Sequence, residues 1–145
     1  MNQAEIFRIE TPSKINLHLA VRGRRPDGYH DIETLFFPLK NPSDTITIAV
    51  SEGDGISVSC PNLPVTVPSG MDNICGRAAS EYLKSASKKA SVSVEIIKNI
   101  PVAAGMGGGS SDAAATLLLL QKKYGALTET ELAEIAVKIG ADVPF

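Results

Sequence analysis

The sequence has little net charge and no long apolar run, and these two shortages exclude two classes of protein. Fourteen basic and 16 acidic residues leave a formal net charge of −2, which gives no support for nucleic-acid binding through bulk positive charge. The longest apolar run, Ala113–Leu120, is interrupted by Thr116 and is far shorter than the ~20 residues of a membrane-spanning helix. We therefore expect neither a nucleic-acid nor a membrane partner.

Cysteines are also scarce, and their pattern together with the N-terminus indicates a cytoplasmic protein. Cys60 and Cys75 fit no Cys-x-x-Cys pattern, so they are most simply two reduced thiols of a chain that is not secreted. The segment that precedes Lys14 lacks the apolar core of a signal peptide. We expect a cytoplasmic location.

Length and composition are those of one globular domain. The 145 residues are 43% hydrophobic and 21% charged, which is near the average for folded domains. A chain of this size can bury roughly two-thirds of its unfolded surface. The final segment, Val143–Phe145, resembles the start of another element more than a polar tail, so we expect residues 1–145 to be one domain of a chain that continues.

Period-two alternation predicts strands in the first part of the chain and again after residue 90. The alternating apolar residues are Ile15, Leu17, Leu19 and Val21; Ile46, Ile48 and Val50; Ile56, Val58 and Cys60; and Val92, Val94 and Ile96. In the first run, Lys14, Asn16 and His18 would share one polar face opposite a buried one. Turn-forming segments are predicted at 26–28, 41–43, 53–55 and 61–62.

Helical periodicity and capping signals predict three helices in the second half. They lie at 72–88, at 110–125 with Ser110 or Ser111 as the N-cap, and at 128–140 with Thr128 and Glu131 as a capping box. This mixture of strands and helices indicates an α+β or α/β sandwich in which a sheet packs against helices.

A glycine-rich segment between a predicted strand and a predicted helix is the strongest chemical signal. It consists of Pro101, Val102, Ala103, Ala104, Gly105, Met106, Gly107, Gly108, Gly109, Ser110 and Ser111. Glycine N–H groups beside a helix N-terminus form a site for an anion such as phosphate, and the two serine hydroxyls could bind phosphate oxygens or Mg²⁺. The segment is neither a P-loop nor a dinucleotide fingerprint, because Ser110 stands where those motifs need Lys or Gly. The alternative is a flexible connection without a ligand.

Three other polar features are weaker signals when each is taken alone. Lys14 could balance phosphate charge or lower the pKa of a substrate hydroxyl, although a solvated strand face explains it better. Tyr29 and His30 follow the turn at 26–28 and pair a stacking ring with a hydrogen-bonding ring, as nucleobase sites do, but an ordinary hairpin explains them equally well. Asp142 could act as a base toward a hydroxyl, although an Asp in a turn is the simpler explanation.

Taken together and in order, these segments resemble the GHMP kinase family. The family's glycine loop is matched by residues 101–113. The segments 12–17, 25–30, 33–36 and 140–145 are similar to the members that phosphorylate a cytidine-diphosphate-linked methylerythritol in the non-mevalonate isoprenoid pathway. The resemblance implies an α+β fold with a mixed sheet packed on helices and a left-handed βαβ crossover, which is an exception to the usual handedness.

The resemblance also implies the domain organisation and the cofactors. Residues 1–145 would be the N-terminal, ATP-binding domain of such a kinase, and a C-terminal domain would be missing. ATP and Mg²⁺ would be required, and the partner would be a small-molecule substrate. The domain by itself would be inactive, because the second domain of the family closes the cleft.

The catalytic and substrate-binding roles follow from the same resemblance, residue by residue. Asp142 would take the proton from the 2-hydroxyl of the substrate as that hydroxyl attacks the γ-phosphate, and Lys14 would support the hydroxyl electrostatically. Asn16 would contact the substrate close to them. Tyr29 would stack on the cytosine and His30 would hydrogen-bond its edge.

The nucleotide-binding roles also come from the resemblance. The loop from Pro101 to Ser111 would wrap the phosphates of ATP, which agrees with the dependence of phosphoryl transfer on positioning and charge neutralisation. Asn73 and Lys98 would lie near the nucleotide. Ser111 would be a ligand of Mg²⁺.

Two alternatives stay open at the level of the sequence. One is another GHMP kinase, acting on mevalonate, homoserine or a sugar, against which the Tyr29–His30 pair speaks. The other is a non-catalytic module of the same fold that binds nucleotides or nucleic acid. Its only support is the cluster Arg22, Arg24 and Arg25, and the net charge of −2 opposes it.

Overall fold

The structure, a computed structural model, describes residues 3–64, 68 and 70–145. Within these ranges a four-stranded sheet has the order β1-β2-β4-β3. Its strands are β1 (Glu5–Arg24), β2 (His30–Ser51), β3 (Gly55–Ser59) and β4 (Ser91–Ile97). The β1–β2 and β2–β4 pairs are antiparallel and the β3–β4 pair is parallel, so the sheet is mixed, as the expected α+β fold requires.

Three α-helices are described, and they contribute to one core with one face of this sheet. They are α1 (Ile74–Ser85), α2 (Gly108–Tyr124) and α3 (Glu129–Ile139). The parallel strands β3 and β4 are joined through α1, which forms the expected βαβ unit. No helix among the described residues is long and apolar enough to cross a membrane.

The predicted alternation is confirmed for the two strands at the centre of the sheet. The apolar side chains of β2 and β4 are buried in the core: Ile46, Ile48 and Val50 from β2, and Val92, Val94 and Ile96 from β4. They pack with buried residues of α1 and α2 such as Tyr82 and Leu120. Burial of each such side chain contributes about 1.5–3 kcal/mol, so this core holds the helices on the sheet.

Local capping chemistry defines the starts of α3 and α1. The predicted capping box is confirmed, since the Thr128 side chain accepts from the Glu131 N–H and the Glu131 side chain accepts from the Thr128 N–H. Asn73 caps α1 by accepting from the Cys75 N–H at 2.9 Å. Both caps arise within three residues of sequence, so neighbouring residues are enough to form them.

The start of α2 differs from the prediction. The helix begins at Gly108, with Gly107 as a left-handed N-cap at φ 73°, and no described side chain caps it. Ser110 and Ser111 therefore lie inside the first turn instead of at the cap. The reason is that glycine adopts a left-handed φ without strain, so the chain turns into the helix at Gly108, two residues before the predicted start at Ser110.

The outer half of the β1–β2 hairpin also differs from the prediction. Ile15, Leu17, Leu19 and Val21 were expected to face a core, but they are 38–63% exposed. Strand β4 pairs with β2 only over Thr45–Ser51, so the outer half of the hairpin consists of β1 and β2 alone. Alternation therefore predicted the strand correctly, but among the described residues no layer buries its apolar side chains.

The predicted turn at 41–43 is instead an irregularity within β2. Pro12 pairs with Ser43 while Ser13 pairs with Leu39, so three residues of β2 have no partner in β1 and bulge out of the ladder. The Ser13 hydroxyl donates to the carbonyl of Pro42 at 2.7 Å, which fixes the bulge against β1. The turn-forming residues are thus accommodated by a bulge that the strand pairing itself tolerates.

A second register shift separates His18 from the polar face predicted for it. Asn16 lies opposite Phe36 and His18 opposite Leu35. Residues opposite each other share a face, and the neighbours Leu35 and Phe36 point to opposite faces. His18 therefore lies on the other face from Asn16, where its Nε2 is 3.6 Å from a carboxylate oxygen of Glu33.

Candidate active site

The glycine loop contacts β1 at Lys14. The Lys14 N–H donates to the Met106 carbonyl at 2.9 Å, which ties the loop to the strand. A Cβ added to Gly107 would lie 3.1 Å from Lys14 Cγ and 3.2 Å from Lys14 Cε. Glycine is needed at 107 both for its left-handed φ of 73° and for this close approach.

One cavity, which we call the strand cavity, lies between β1 and the start of α2 and has a volume of about 510 Å³. Its polar lining includes Lys14, Ser110, Ser111 and Asp142. Lys14 and Asp142 come from opposite ends of the chain. The structure therefore brings together the two residues that the family resemblance paired.

A second cavity, which we call the loop cavity, lies on the other side of the glycine loop and has a volume of about 390 Å³. It is lined by Asn73, Lys98, Asp112, the two cysteines and the loop from Pro101 to Ser110. Gly107 and Ser110 line both cavities. Ligands in the two cavities would therefore meet at these two residues.

The Lys14 ammonium is oriented by two neighbouring side chains, of which Phe36 lines the strand cavity and Asn16 does not. Its Nζ donates to Asn16 Oδ1 at 2.7 Å and lies 4.7 Å from the centroid of the Phe36 ring, a distance at which cations are attracted to aromatic faces. Phe36 in turn contacts the Phe145 ring edge-to-face, with 6.1 Å between centroids. Sequence reasoning gave Phe36 no role, because its position opposite Asn16 depends on the strand register.

Asp142 is held in the turn that follows α3. The Val143 N–H donates to the Gly140 carbonyl at 3.2 Å and the Phe145 N–H donates to the Asp142 carbonyl at 3.2 Å. Buried Val143 anchors the turn in the core. The turn presents the Asp142 carboxylate to the strand cavity, where it can accept a proton from a bound hydroxyl.

Beneath the loop, Lys98 lies in a buried ion cluster that sequence reasoning missed. Its Nζ pairs with Asp44 and with Asp112, the latter at 2.9 Å. Thr11 donates its hydroxyl to the other oxygen of Asp112 at 3.1 Å. Asp44 and Asp112 are almost completely buried, so the cluster joins β1, β2, the end of β4 and α2.

Burial and charge act in opposite directions on the groups of this cluster. Burial raises the pKa of Asp112 from 3.8 to about 6, although the Lys98 ammonium opposes the shift. Burial alone would lower the pKa of Lys98, but its hydrogen bonds and charge interactions with Asp44 and Asp112 raise it above the ordinary value. Lys98 therefore stays protonated at neutral pH in a place where water is scarce.

The backbone next to Lys98 depends on the same cluster. Asp44 Oδ1 accepts from the N–H groups of Asn99 and Ile100 at 2.6 and 2.8 Å. Asp44 thereby fixes the chain as it enters the glycine loop. No motif in the sequence marks Asp44, because it acts across 54 to 56 residues of separation.

The residues expected near a nucleobase lie elsewhere. Tyr29 and His30 follow the hairpin turn, where Tyr29 is 70% exposed and its carbonyl accepts from the Arg25 N–H at 2.7 Å. Neither residue is among the described lining of either cavity. Lys14 and Arg24 are ten residues apart along β1, a span of roughly 30 Å in an extended strand, so the structure does not bring these residues to Lys14.

The comparison with known families assigns the chain to a class of protein. The GHMP kinases N terminal domain family matches residues 66–145. This range covers more than half of the chain and includes the glycine loop, α2 and Asp142. The chain belongs to the GHMP kinase N-terminal domain family.

Individual relatives share a particular name. The chain is 45% identical over 140 residues to a 4-diphosphocytidyl-2-C-methyl-D-erythritol kinase of Geobacter sp. (strain M21), covering 96% of this chain and 49% of the relative. It is 43% identical over 145 residues to the protein of the same name in Desulfitobacterium hafniense (strain Y51), covering 99% and 47%. The chain thus spans about half the length of the curated relatives it matches.

Solved structures agree with this assignment. A crystal structure of 4-(cytidine 5'-diphospho)-2C-methyl-D-erythritol kinase superposes with a TM-score of 0.79 at 41% identity, covering 96% of this chain and 48% of that chain. A mevalonate kinase superposes with a TM-score of 0.67 at 19% identity, covering 92% of this chain and 46% of the other. The second likeness shows the fold alone.

Proposed function

We propose that the protein containing this chain transfers the γ-phosphate of ATP to the 2-hydroxyl of 4-diphosphocytidyl-2-C-methyl-D-erythritol, in the non-mevalonate isoprenoid pathway. The observation that carries the proposal is the position of the glycine loop between two cavities, with Gly107 and Ser110 lining both. A phosphate donor in the loop cavity and an acceptor in the strand cavity would meet at these residues. The relatives that share 43–45% identity carry the name of this kinase.

The loop cavity suits the triphosphate of ATP. The start of α2 lacks a side-chain cap among the described residues, so its N–H groups are open to an anion, and a helix N-terminus favours negative charge. Lys98 adds a positive charge beneath Gly108, since its Nζ would lie 3.1 Å from a Cβ at that position. Asn73 lines the same cavity while its side chain caps α1.

The residues present fit a magnesium ion held mainly by phosphates. Ser110 and Ser111 line the strand cavity beside Gly107, and Mg²⁺ in phosphoryl-transfer sites takes few protein ligands because phosphates and waters supply the rest. No group of three or more His, Cys, Asp or Glu that could hold a metal occurs among the described residues. When bound, the ion would neutralise charge on the phosphates, and Ser111 is our candidate for its protein ligand.

The strand cavity suits the acceptor hydroxyl. In our proposal, Asp142 takes the proton of the 2-hydroxyl, and the Lys14 ammonium supports the oxygen as it becomes nucleophilic. Asn16 orients Lys14 through the 2.7 Å hydrogen bond, and in our proposal it also contacts the substrate beside Lys14. This division of roles needs no covalent intermediate, as is usual in phosphoryl transfer.

The cytidine end of the substrate is assigned to the hairpin tip. Tyr29 would stack on the cytosine and His30 would hydrogen-bond its edge, and the high exposure of Tyr29 leaves its ring open to a ligand. Because this tip lies far from Lys14 along β1, a bending of the hairpin toward the strand cavity is part of the proposal. We further propose that residues 1–145 form the ATP-binding N-terminal domain of a cytoplasmic kinase.

Replacing the proposed base tests the mechanism. In the full-length protein, Asp142→Asn should lower kcat by about 100-fold or more if the carboxylate is the general base, while the affinity for ATP changes little. Glu134→Gln is the matched control, because it neutralises an exposed carboxylate on α3, the helix before Asp142. A variant with near-parental kcat would remove Asp142 from the mechanism.

Replacing the proposed stacking ring tests the substrate. Tyr29→Ala should weaken binding of the cytidine-linked substrate by about 1–3 kcal/mol, the usual contribution of one base stack, whereas Tyr29→Phe keeps the ring and should bind nearly as well as the parent. The measurement is a calorimetric titration of the full-length protein. Equal affinity of the parent and Tyr29→Ala would exclude the stacking role.

A further inference from the structure

The buried cluster beneath the glycine loop contains one carboxylate more than is needed to balance its single ammonium group. Two carboxylates, Asp44 and Asp112, face one ammonium, Lys98, so the cluster carries a surplus of negative charge directly below a loop suited to phosphate. Burying unpaired charge is costly, and a second carboxylate next to an anion site opposes the binding of phosphate. An arrangement of this kind needs a reason beyond stability.

Asp44 already has a structural function, and Asp112 does not duplicate it. Asp44 accepts from the N–H groups of Asn99 and Ile100 and so holds the backbone that leads into the loop. Asp112 makes no such backbone contact among the hydrogen bonds described for it through its side chain. Its two oxygens bind Lys98 at 2.9 Å and the Thr11 hydroxyl at 3.1 Å.

These contacts give the Asp112 carboxylate a fixed orientation. Thr11 belongs to β1 and Asp112 to α2, so the carboxylate is held between the strand that carries Lys14 and the helix that begins at the loop. Lys98 Nζ is thereby directed to the underside of Gly108, where a Cβ would approach it to 3.1 Å. A lysine side chain that no carboxylate holds would lose much more rotamer freedom on binding a phosphate than Lys98 would.

We propose that Asp112 is a positioning residue for ATP binding, acting by holding the ammonium of Lys98 beneath the first residue of α2. The inference rests on the proposed binding of ATP by the loop. Asp112 also lines the loop cavity, but its two carboxylate oxygens are engaged by Lys98 and Thr11, so the role we assign to it is to hold Lys98 and not to bind the nucleotide. Its carboxylate determines where the one buried positive charge of the cluster lies.

A double-mutant cycle on ATP affinity separates positioning from a general structural effect. The full-length protein, Asp112→Asn, Lys98→Gln and the double variant are titrated with ATP and Mg²⁺ by calorimetry. Each single variant should bind ATP about 10-fold more weakly, in line with the contribution of a hydrogen bond to a charged group. In the Lys98→Gln background, Asp112→Asn should cause no further loss, because the group it positions is gone.

Other outcomes overturn the inference. Parental affinity in Asp112→Asn, or losses in the two singles that multiply in the double variant, would show that Asp112 does not act through Lys98. Asp54→Asn is the matched control, since it neutralises an exposed carboxylate that pairs with Lys89 at 3.6 Å. If the parent protein itself binds no ATP, the proposed function fails as well, which is a distinct result.

A measurement on the parent protein covers the case in which the variants do not fold. With ¹⁵N-labelled lysine, the ammonium of Lys98 should give a protected NMR signal, because two buried carboxylates hold it. Addition of ATP should shift that signal, while the signal of exposed Lys89 stays in place. An unshifted Lys98 signal at saturating ATP would refute the positioning role.

Discussion

The contact between Gly107 and Lys14 leads to a prediction about catalysis. In Gly107→Ala, the new Cβ would lie 3.1 Å from Lys14 Cγ and 3.2 Å from Lys14 Cε, closer than ordinary van der Waals contact. The lysine stem is flexible and can move away, but its ammonium then loses the positions it holds against Asn16 and Phe36. We expect kcat to fall by about 10- to 100-fold, because a misplacement near 1 Å can reduce the rate by about 100-fold.

The effect on stability should be much smaller than the effect on kcat. An alanine in the left-handed region lowers the stability of the folded state by about 1–2 kcal/mol. The alanine also reduces the conformational entropy of the unfolded chain, which offsets about 0.4–1 kcal/mol of that loss. The net loss in the free energy of unfolding is therefore about 1 kcal/mol, which the movement of the Lys14 stem changes little.

Gly125→Ala provides the matched control. Gly125, at the end of α2, is also left-handed, with φ 55° against 73°, none of the described atoms lies within 4 Å of a Cβ at this position, and it lines neither cavity. The two variants should lose similar stability in urea unfolding, while only Gly107→Ala should lose kcat at saturating ATP. Equal loss of kcat in both variants would refute the argument that Lys14 is displaced.

Three further predictions concern the buried groups of the domain. Because burial raises the pKa of Asp112 from 3.8 to about 6, its protonated form favours the folded state, so the stability it confers is complete below pH 3.8 and is lost as the pH rises through about 6. The free energy of unfolding of the parent relative to Asp112→Asn should fall by at most about 3 kcal/mol over this range in urea titrations, and a pH-independent difference would contradict the shift. Gly76→Ala should destabilise the chain by about 3 kcal/mol, because its Cβ would lie 1.8 Å from the carbonyl oxygen of Gly70 and the backbone would have to move. An unchanged thermal midpoint would show that the backbone at Gly70 and the start of α1 separate easily. Thiol titration should count two reactive groups after unfolding, and Cys75, whose pKa burial raises to about 12, should react more slowly than Cys60 in the native chain; detection of a disulfide would contradict this prediction.

The helix ends show which features local sequence can predict. The predicted Thr128–Glu131 capping box is present, and α2 ends at the predicted position, with Gly125 as a left-handed C-cap. Each depends on atoms only a few residues apart, so neighbouring residues decide them. The start of α2 was predicted two residues late, because a glycine and a serine compete for the cap and the docking of the loop on Lys14 favours the glycine.

The candidate site was predicted only in part. The glycine loop was found because its four glycines are consecutive or nearly so, and Lys14 and Asp142 were paired through the family resemblance. Asp44 and Asp112 were missed, because neither belongs to a local pattern that indicates a buried ion pair. The face predicted for His18 was wrong, because a one-residue register shift between strands moves every side chain that follows it to the opposite face of the sheet.

By itself, the sequence determined the strands and helices, some of their caps and the loop that can bind an anion, because alternation, capping and glycine content act over a few residues. Only the tertiary structure decided which of these elements meet. The hydrogen bond between Thr11 and Asp112 joins residues 101 positions apart, and the Lys14 N–H finds the Met106 carbonyl across a similar distance. Such contacts depend on strand register and helix packing, which are set by burial of the whole core. No single segment of the chain therefore encodes them.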